Sequence, residues 1–507
     1  MAYSGQTCGS PRRRHLMQAL LACAAIAACV APAASGATYD PSTDVNSMYS
    51  TSQYTGATRW WNVGYTGSGI DVAVIDSGVA PVQGLSAPGK VIYGPDLSLE
   101  SQAPNLTNFD TYGHGTFIAG LIAGHDDALT APYASAPASA YRGIAPDARI
   151  ISLKVSTADG GADVSQVIAA IDWVVQHAHD PGLNIRVINL SYGTNSTQAY
   201  GSDPLAYAAE QAWKHGIVVV AAAGNTGYQK GAGATGIADP AYDPYILAVG
   251  ASDSMGTMST SDDQVASFSA SSLCKTCRIP DILAPGTHIQ GLRVPNSWLD
   301  ANHPEGVIDS RYFRGSGTSE ATAMVSGAVA LVLQKYPTMT PDCVKRYLQQ
   351  NGLRLTGAES AQGGGEIQLG VMLGITPTMT YVQKLTPAVG NGSIELARGQ
   401  DHVTRDGVTL TGEQDIFGMP VDTTALAGLE AAGISWTGGN WNGSTWSGST
   451  WSGSTWSGST WSGSSWSGST WSGSTWSGST WSGSTWSGSS WSGSTWSGNT
   501  WAGSSWS

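Results

Sequence analysis

An α/β fold, built on a mostly parallel sheet with helices on both faces, is predicted by two features of the amino-acid sequence. Short β-branched runs alternate with longer segments of helical pattern between Asp71 and Leu331. Parallel neighbours need crossover connections of about a dozen residues or more, and the helical segments supply them. In chain order the strands are Asp71–Ile75, Ile150–Val155, Ile185–Leu190, Ile217–Ala222 and Ile246–Val249. The helices are Asp163–Ala178, Pro204–His215, Ser319–Lys335 and Pro341–Asn351. Open parallel sheets bind ligands outside the carboxyl ends of their strands. Asp76 directly follows the first strand and so stands where such a sheet holds a catalytic group.

The chain has 507 residues and 41% apolar content, enough for one large catalytic domain with appendages, its core expected before about residue 375. A net charge of −13 with 12% charged residues offers no basic footprint for nucleic acid, and no Gly-x-x-x-x-Gly-Lys phosphate loop occurs. Residues 1–36 read as an export signal: Arg12, Arg13 and Arg14 precede an apolar run from Leu16 to Val30, then small residues through Gly36. That run is short for a membrane span. The arginines before His15-Leu16-Met17 resemble a twin-arginine signal, and Ile26-Ala27-Ala28-Cys29 resembles a lipoprotein cleavage box. A secreted protein and an envelope protein anchored through Cys29 are both compatible with this leader.

Beyond the leader, residues 37–58 read as a short linker, 59–375 as the catalytic domain, and 376–435 as a small β-rich extension with turn signals Gly390-Asn391-Gly392 and Arg405-Asp406-Gly407. Cys274 and Cys277 form a single Cys-x-x-Cys, which cannot supply four zinc ligands, and a small loop disulfide fits an oxidising compartment. Cys343 shares a helical face with Tyr347 and is expected to be a buried thiol. From Trp436 to Trp506 a Trp recurs every fifth residue, mostly as Trp-Ser-Gly-Ser-Thr, with no charge. A period of five does not fit an amphipathic helix. Three readings stay open for residues 436–507: a low-complexity tail, a regular β-type stack, and a surface that grips polysaccharide or cell wall.

Hydrolysing a peptide bond at neutral pH needs an activated hydroxyl, a base, and a group that orients the base. Ser319 in Gly317-Thr318-Ser319, His114 in Gly113-His114-Gly115-Thr116 and Asp76 can fill those roles. Taken singly, these are an N-cap, a tight turn and a turn aspartate. Together, in the order Asp, His, Ser, they resemble the subtilisin-like serine peptidases, a family for which that order is known. Val74-Ile75-Asp76-Ser77-Gly78-Val79, Tyr112-Gly113-His114-Gly115-Thr116, Gly143-Ile144-Ala145-Pro146, Asn189-Leu190-Ser191-Tyr192-Gly193, Val220-Ala221-Ala222-Ala223-Gly224-Asn225, Ala284-Pro285-Gly286 and Gly317-Thr318-Ser319 carry the resemblance over residues 59–375.

The resemblance implies a serine endopeptidase acting on protein or peptide substrates through an acyl-enzyme. It assigns Asp76, His114 and Ser319 to the triad, Asn225 to the oxyanion hole, and Ser191, Tyr192, Gly193, Ala223 and Gly224 to substrate-lining segments. Substrate held by added-strand hydrogen bonds implies broad specificity. The resemblance implies no cofactor for the chemistry; structural calcium, frequent in the family, is compatible with the chain, with no clear carboxylate loop to which it is assigned. Glu320, Thr322, Ala323 and Met324 replace the family's usual Met, Ala, Pro and His after the nucleophile, and Phe117 replaces a common His. Residues 37–58 leave no room for the inhibitory prodomain of many relatives. The rival class is a surface or cell-wall binding protein whose peptidase scaffold is inactive; oligomeric state leaves no mark on the sequence.

Overall fold

The computed structural model describes residues 39–445, apart from 102, 104, 229–235, 272–277, 357–360, 406–407 and 438, together with the backbone of strands between Thr455 and Trp506. Its centre is a sheet of eight strands: β1 (Asp71–Asp76), β2 (Val91–Asp96), β3 (Arg149–Lys154), β4 (Ile185–Leu190), β5 (Val218–Ala222), β6 (Leu247–Asp253), β7 (Gln264–Val265) and β8 (Ile282–Pro285). The order is β2-β3-β1-β4-β5-β6-β7, with β8 also on β6. Every pairing is parallel except β6 with β7. The expected fold class holds, and the five expected strands are β1, β3, β4, β5 and β6.

Five helices pack around this sheet: α3 (His114–Ala123), α4 (Val164–His177), α5 (Pro204–Lys214), α7 (Thr318–Lys335) and α8 (Pro341–Gln350). Helix α4 packs on α5, and α3 on α7, which runs along β4, β5 and β6. Asp163 caps α4 in a reciprocal capping box with Gln166, Asp203 caps α5, and Thr340 caps α8. Val72–Ile75 and Val218–Ala221 are wholly buried, so the sheet centre is dry on both faces. A two-stranded ribbon, β9 (Ile289–Leu292) with β10 (Tyr312–Gly315), leads through the short helix α6 (Trp298–Asn302) and back to α7.

Residues read as an N-terminal linker instead carry α1 (Met48–Tyr54), followed by α2 (Ala57–Trp61). Trp60 and Trp61 are buried, their indole N–H groups donating to Leu369 O (2.7 Å) and Ile144 O (2.9 Å). The segment Leu369–Met372 forms the short helix α9.

The extension departs from the expected β-rich character. It carries α10 (Ile394–Arg398), capped by Ser393, and α11 (Thr423–Ala431), capped by Asp422, beside one two-residue ladder, Thr404–Arg405 on Val408–Thr409. Turn-rich sequence marked the boundaries, and the caps turned the intervals helical. Arg398 fastens the extension to the catalytic unit through a pair with Asp163 (2.6 Å), both side chains fully buried. The first two repeat tryptophans are also buried: Trp436 donates to Ala169 O (2.8 Å) and Trp441 to Asp172 Oδ2 (2.7 Å) on α4. Further along the repeat, Thr455–Ser462, Thr475–Ser482 and Thr495–Ala502 pair in parallel, setting Trp456 opposite Trp476 and Trp476 opposite Trp496. Cys343 is buried, with Sγ 3.5 Å from Tyr381 O. Cys274 and Cys277 lie outside the described residues.

Candidate active site

The carboxyl ends of β1 and β5 and the N-termini of α3 and α7 converge on one spot. Asp76 closes β1 and is 7% exposed; its carboxylate takes Nδ1 of His114 at 2.9 and 3.0 Å, while Ser77 N–H adds a third bond at 2.7 Å. His114 opens α3 because Gly113, at φ 103°, turns the chain through a conformation that side chains resist. Gly115 lies directly against the Gly78 carbonyl, leaving no space for a Cβ.

A buried network fixes that entry. Gly115 N–H donates to Ser77 Oγ (2.9 Å), Ser77 Oγ donates to Asp110 (2.8 Å), and Asp110 takes Gly113 N–H (2.6 Å) and Thr116 N–H (2.7 Å). Burial pushes the Asp110 carboxyl up, against the pull of these bonds. Asp110 was not legible as a site residue, since its only sequence signal is a loop acid four positions before His114.

Burial drives the His114 imidazole down, yet the charge and hydrogen bond of Asp76, with smaller help from Glu320 and Asp110, move it from 6.5 up to about 9. The ring is aligned through Nδ1, and Nε2 can accept a proton in the neutral form, whose fraction grows as the pH approaches about 9.

Ser319 sits in the first turn of α7, half-buried. Its hydroxyl makes no hydrogen bond to His114 among the described residues; in resting hydrolases that bond is often long and tightens on substrate binding. Ser191 Oγ donates to the Ser319 carbonyl (3.2 Å) and accepts from Asn189 Nδ2 (3.0 Å), whose Oδ1 takes Ser326 Oγ (2.9 Å). The turn that bears Ser319 is thus tied to the end of β4.

Asn225 follows β5 and is exposed. Its Oδ1 accepts Thr318 N–H (2.9 Å) and Thr318 Oγ1 (3.0 Å), and Gly224 N–H donates to Thr318 Oγ1 (3.2 Å). With the oxygen committed, the Nδ2 end is left to donate beside Gly317 and Ser319. Thr318 is the partner that sequence reasoning missed.

The two segments expected to line substrate face a common residue. A Cβ on Gly193 would stand 2.8 Å from the Ala238 Cβ, and one on Gly224 would stand 3.3 Å from the same atom. Thr194 and Asp239 exchange backbone bonds at 2.9 Å alongside. Ala223 is buried, and the Tyr192 ring packs on the core with its hydroxyl buried. Among the described residues, no group of three or more His, Cys, Asp or Glu is arranged to hold a metal.

With this geometry in hand, the likeness to known proteins is specific. The profile of the subtilase family matches residues 67–365. Serine protease AprX of Bacillus subtilis (strain 168) is 37% identical over 288 residues, covering 56% of this chain and 61% of AprX. Subtilisin DY of Bacillus licheniformis is 31% identical over 293 residues, 58% of this chain and 86% of that protein. A crystal structure of a cold adapted subtilisin-like serine proteinase aligns at 27% identity and TM-score 0.43, over 60% of this chain and 90% of the other. The chain spans less than two thirds of the length of AprX. The resemblance carried by the sequence motifs holds, and the profile match extends over more than half of the 507 residues: the chain belongs to the subtilase family.

Proposed function

We propose that this chain is an exported, active serine endopeptidase that cleaves peptide bonds through an acyl-enzyme. The observation that carries the reading is the Asp76–His114 pair at 2.9 Å, set beside the first turn of the helix that bears Ser319. In the proposed cycle His114 Nε2 takes the Ser319 hydroxyl proton as Oγ attacks the scissile carbonyl. Asp76 keeps Nδ1 protonated and stabilises the imidazolium. The carbonyl oxygen becomes an oxyanion held by Asn225 Nδ2 and by the Ser319 N–H at the α7 N-terminus. The imidazolium then gives its proton to the leaving amine as the C–N bond breaks. A water repeats the sequence on the ester, releasing the acid and restoring Ser319.

Ser191, Tyr192, Gly193, Ala223 and Gly224 would hold an extended substrate chiefly by backbone hydrogen bonds, which favours broad specificity. Intact Asp76, His114, Ser319 and Asn225 argue against an inactive scaffold. Turnover of an internally quenched peptide set by the purified chain, beside Ser319→Ala, tests the reading; equal rates would refute it.

A second proposal concerns the repeat. In-register backbone pairing of residues 456, 476 and 496 favours the β-type stack among the three sequence readings, and an aromatic residue at every fifth position of the sequence suits insoluble glycan. Retention on peptidoglycan should fall when residues 446–507 are deleted; unchanged retention would reject adhesion. Export through residues 1–36, with or without anchoring at Cys29, is read from sequence and is tested by the mass of the mature N-terminus.

A further inference from the structure

A cleft of about 650 Å³ opens where the extension meets the catalytic unit, room for more than one residue of a peptide. Its apolar lining is Leu99, which follows β2, Trp298 on α6, and Ile416 with Phe417 from the extension. Trp298 is 39% exposed, a large ring left open to the cleft. The family profile ends at residue 365, so the wall that Ile416 and Phe417 supply lies beyond the shared catalytic domain. Asp415 sets that wall: fully buried, it accepts the N–H groups of Phe417 (2.9 Å) and Met419 (3.1 Å).

The two carboxylates of the lining differ. Glu100 is half-buried and fully engaged, accepting Lys154 Nζ (2.6 Å), Thr111 Oγ1 (2.7 Å) and Ala158 N–H (2.8 Å). Asp159 is exposed, in the turn that leaves β3, and its Oδ1 takes Thr157 Oγ1 (2.6 Å) and Gly161 N–H (3.1 Å). Its Oδ2 accepts no hydrogen bond and no Lys, Arg or His pairs with it among the described residues. The cleft therefore holds two aromatic rings and one uncompensated negative charge.

This cleft adjoins the candidate triad. Trp298 N–H donates to Thr111 O (2.9 Å), and its ring lies 5.6 Å from that of Tyr112, which lies 6.3 Å from the His114 ring. A Cβ on Gly160, next to Asp159, would stand 2.8 Å from the Tyr112 ring, so the Asp159 turn packs on the same tyrosine. Two ring-to-ring steps separate the cleft wall from His114, and an extended chain advancing about 3.3 Å per residue crosses them within about four residues.

We propose that the cleft is a second substrate-binding site, which takes a lysine or arginine side chain carried within about four residues of the scissile bond. The stem lies on the apolar lining while the cation meets Asp159 and the ring faces. An acidic side chain there meets like charge, and a neutral one leaves the carboxylate unanswered. The inference rests on the peptidase reading and adds, to broad binding through the backbone, a preference at a distance from the bond that is cut.

The test uses the full chain and internally quenched peptides of one core sequence, with Arg, norleucine or Glu placed in turn two to five residues from the scissile bond on either side. At one position Arg should exceed Glu in kcat/KM by about tenfold, with norleucine between them. Asp159→Asn keeps the hydrogen bonds of its turn and should cut that ratio to about threefold or less, and Phe417→Ala should lower it as well. Salt at about 1 M should shrink the wild-type ratio in the same direction, a readout that needs no variant to fold. Equal rates for Arg and Glu at every position, or a preference for Arg that survives both Asp159→Asn and high salt, would overturn the inference. If wild type cuts none of the peptides, the peptidase reading fails instead, and the Kd ratio of the same Arg and Glu peptides, read by fluorescence anisotropy, decides the cleft: a ratio near one rejects it.

Discussion

Replacing Asp76 by Asn removes a charge while keeping the shape of the side chain, so it probes the account at its electrostatic centre. In the native chain both carboxylate oxygens lie 2.9 and 3.0 Å from His114 Nδ1. Burial alone would make the ring a weaker base; the charge and hydrogen bond of Asp76, with smaller help from Glu320 and Asp110, carry the imidazole from 6.5 to about 9. That rise corresponds to roughly 3 kcal/mol of preference for the imidazolium. In the proposed cycle the transition state carries the same imidazolium, so its loss would account for about two orders of magnitude in kcat. An amide at position 76 also permits the wrong tautomer, and the total loss should approach the roughly 10⁴-fold known for triad aspartates.

The assay is kcat/KM against pH for wild type and Asp76→Asn, with folding checked by thermal melting. With Asp76 neutralised, burial is opposed only by the smaller help of Glu320 and Asp110, so the acid limb of the variant should move to markedly lower pH than that of wild type. The sign for stability follows from the raised folded-state value. The Asp76–His114 pair contributes fully below about pH 6.5 and its contribution drains away as the pH climbs through about 9, so the stability gap between the proteins should narrow over that window. A variant within tenfold of wild type in kcat, or with an unmoved acid limb, would refute the reasoning.

Three further outcomes follow from other contacts. Asn225→Ala should lower kcat by about 10²–10³ with KM little changed, the loss known for the corresponding amide of subtilisin itself; steady-state kinetics reads it. Thr318→Val loosens the hold on the Asn225 amide by removing the hydroxyl that bonds its oxygen and the Gly224 N–H, while the backbone N–H of residue 318 still donates to that oxygen. A drop of about tenfold in kcat is expected, at the cost of about one hydrogen bond, and unchanged kcat would show that Thr318 does not aim the amide. Arg398→Met strands the fully buried Asp163 carboxylate and should cost about 3–5 kcal/mol in urea unfolding. A loss below 1 kcal/mol would mean that the extension contributes little to holding the catalytic unit together.

What the sequence made legible depended on how local the signal was. Strands β1, β3, β4, β5 and β6 announce themselves as β-branched runs, because a strand buried on both faces needs little but such residues. Strand β2 was hidden by Gly94-Pro95 within it, and β8 by its length of four residues ending in Pro285. Helix α3 was missed for a different reason: every residue from Gly115 to Ala123 is buried, so it has no polar face and no 3.6-residue stripe to detect. Asp76, His114, Ser319 and Asn225 were singled out through their short flanking motifs. Asp110 and Thr318 were not, because each acts through partners brought close only by folding. The helices of the extension were obscured by the turn residues around them, and the Arg398–Asp163 pair spans too much chain to be read from either end.

The central claim, that Ser319 is a nucleophile activated by His114 and Asp76, meets its most direct test in covalent labelling. Purified protein is treated with a serine-directed fluorophosphonate beside Ser319→Ala and His114→Ala, and the modified peptide is located by mass. The account predicts one adduct, on Ser319, absent in the first variant and formed far more slowly in the second. An unlabelled wild type, or labelling that persists in Ser319→Ala, would contradict it.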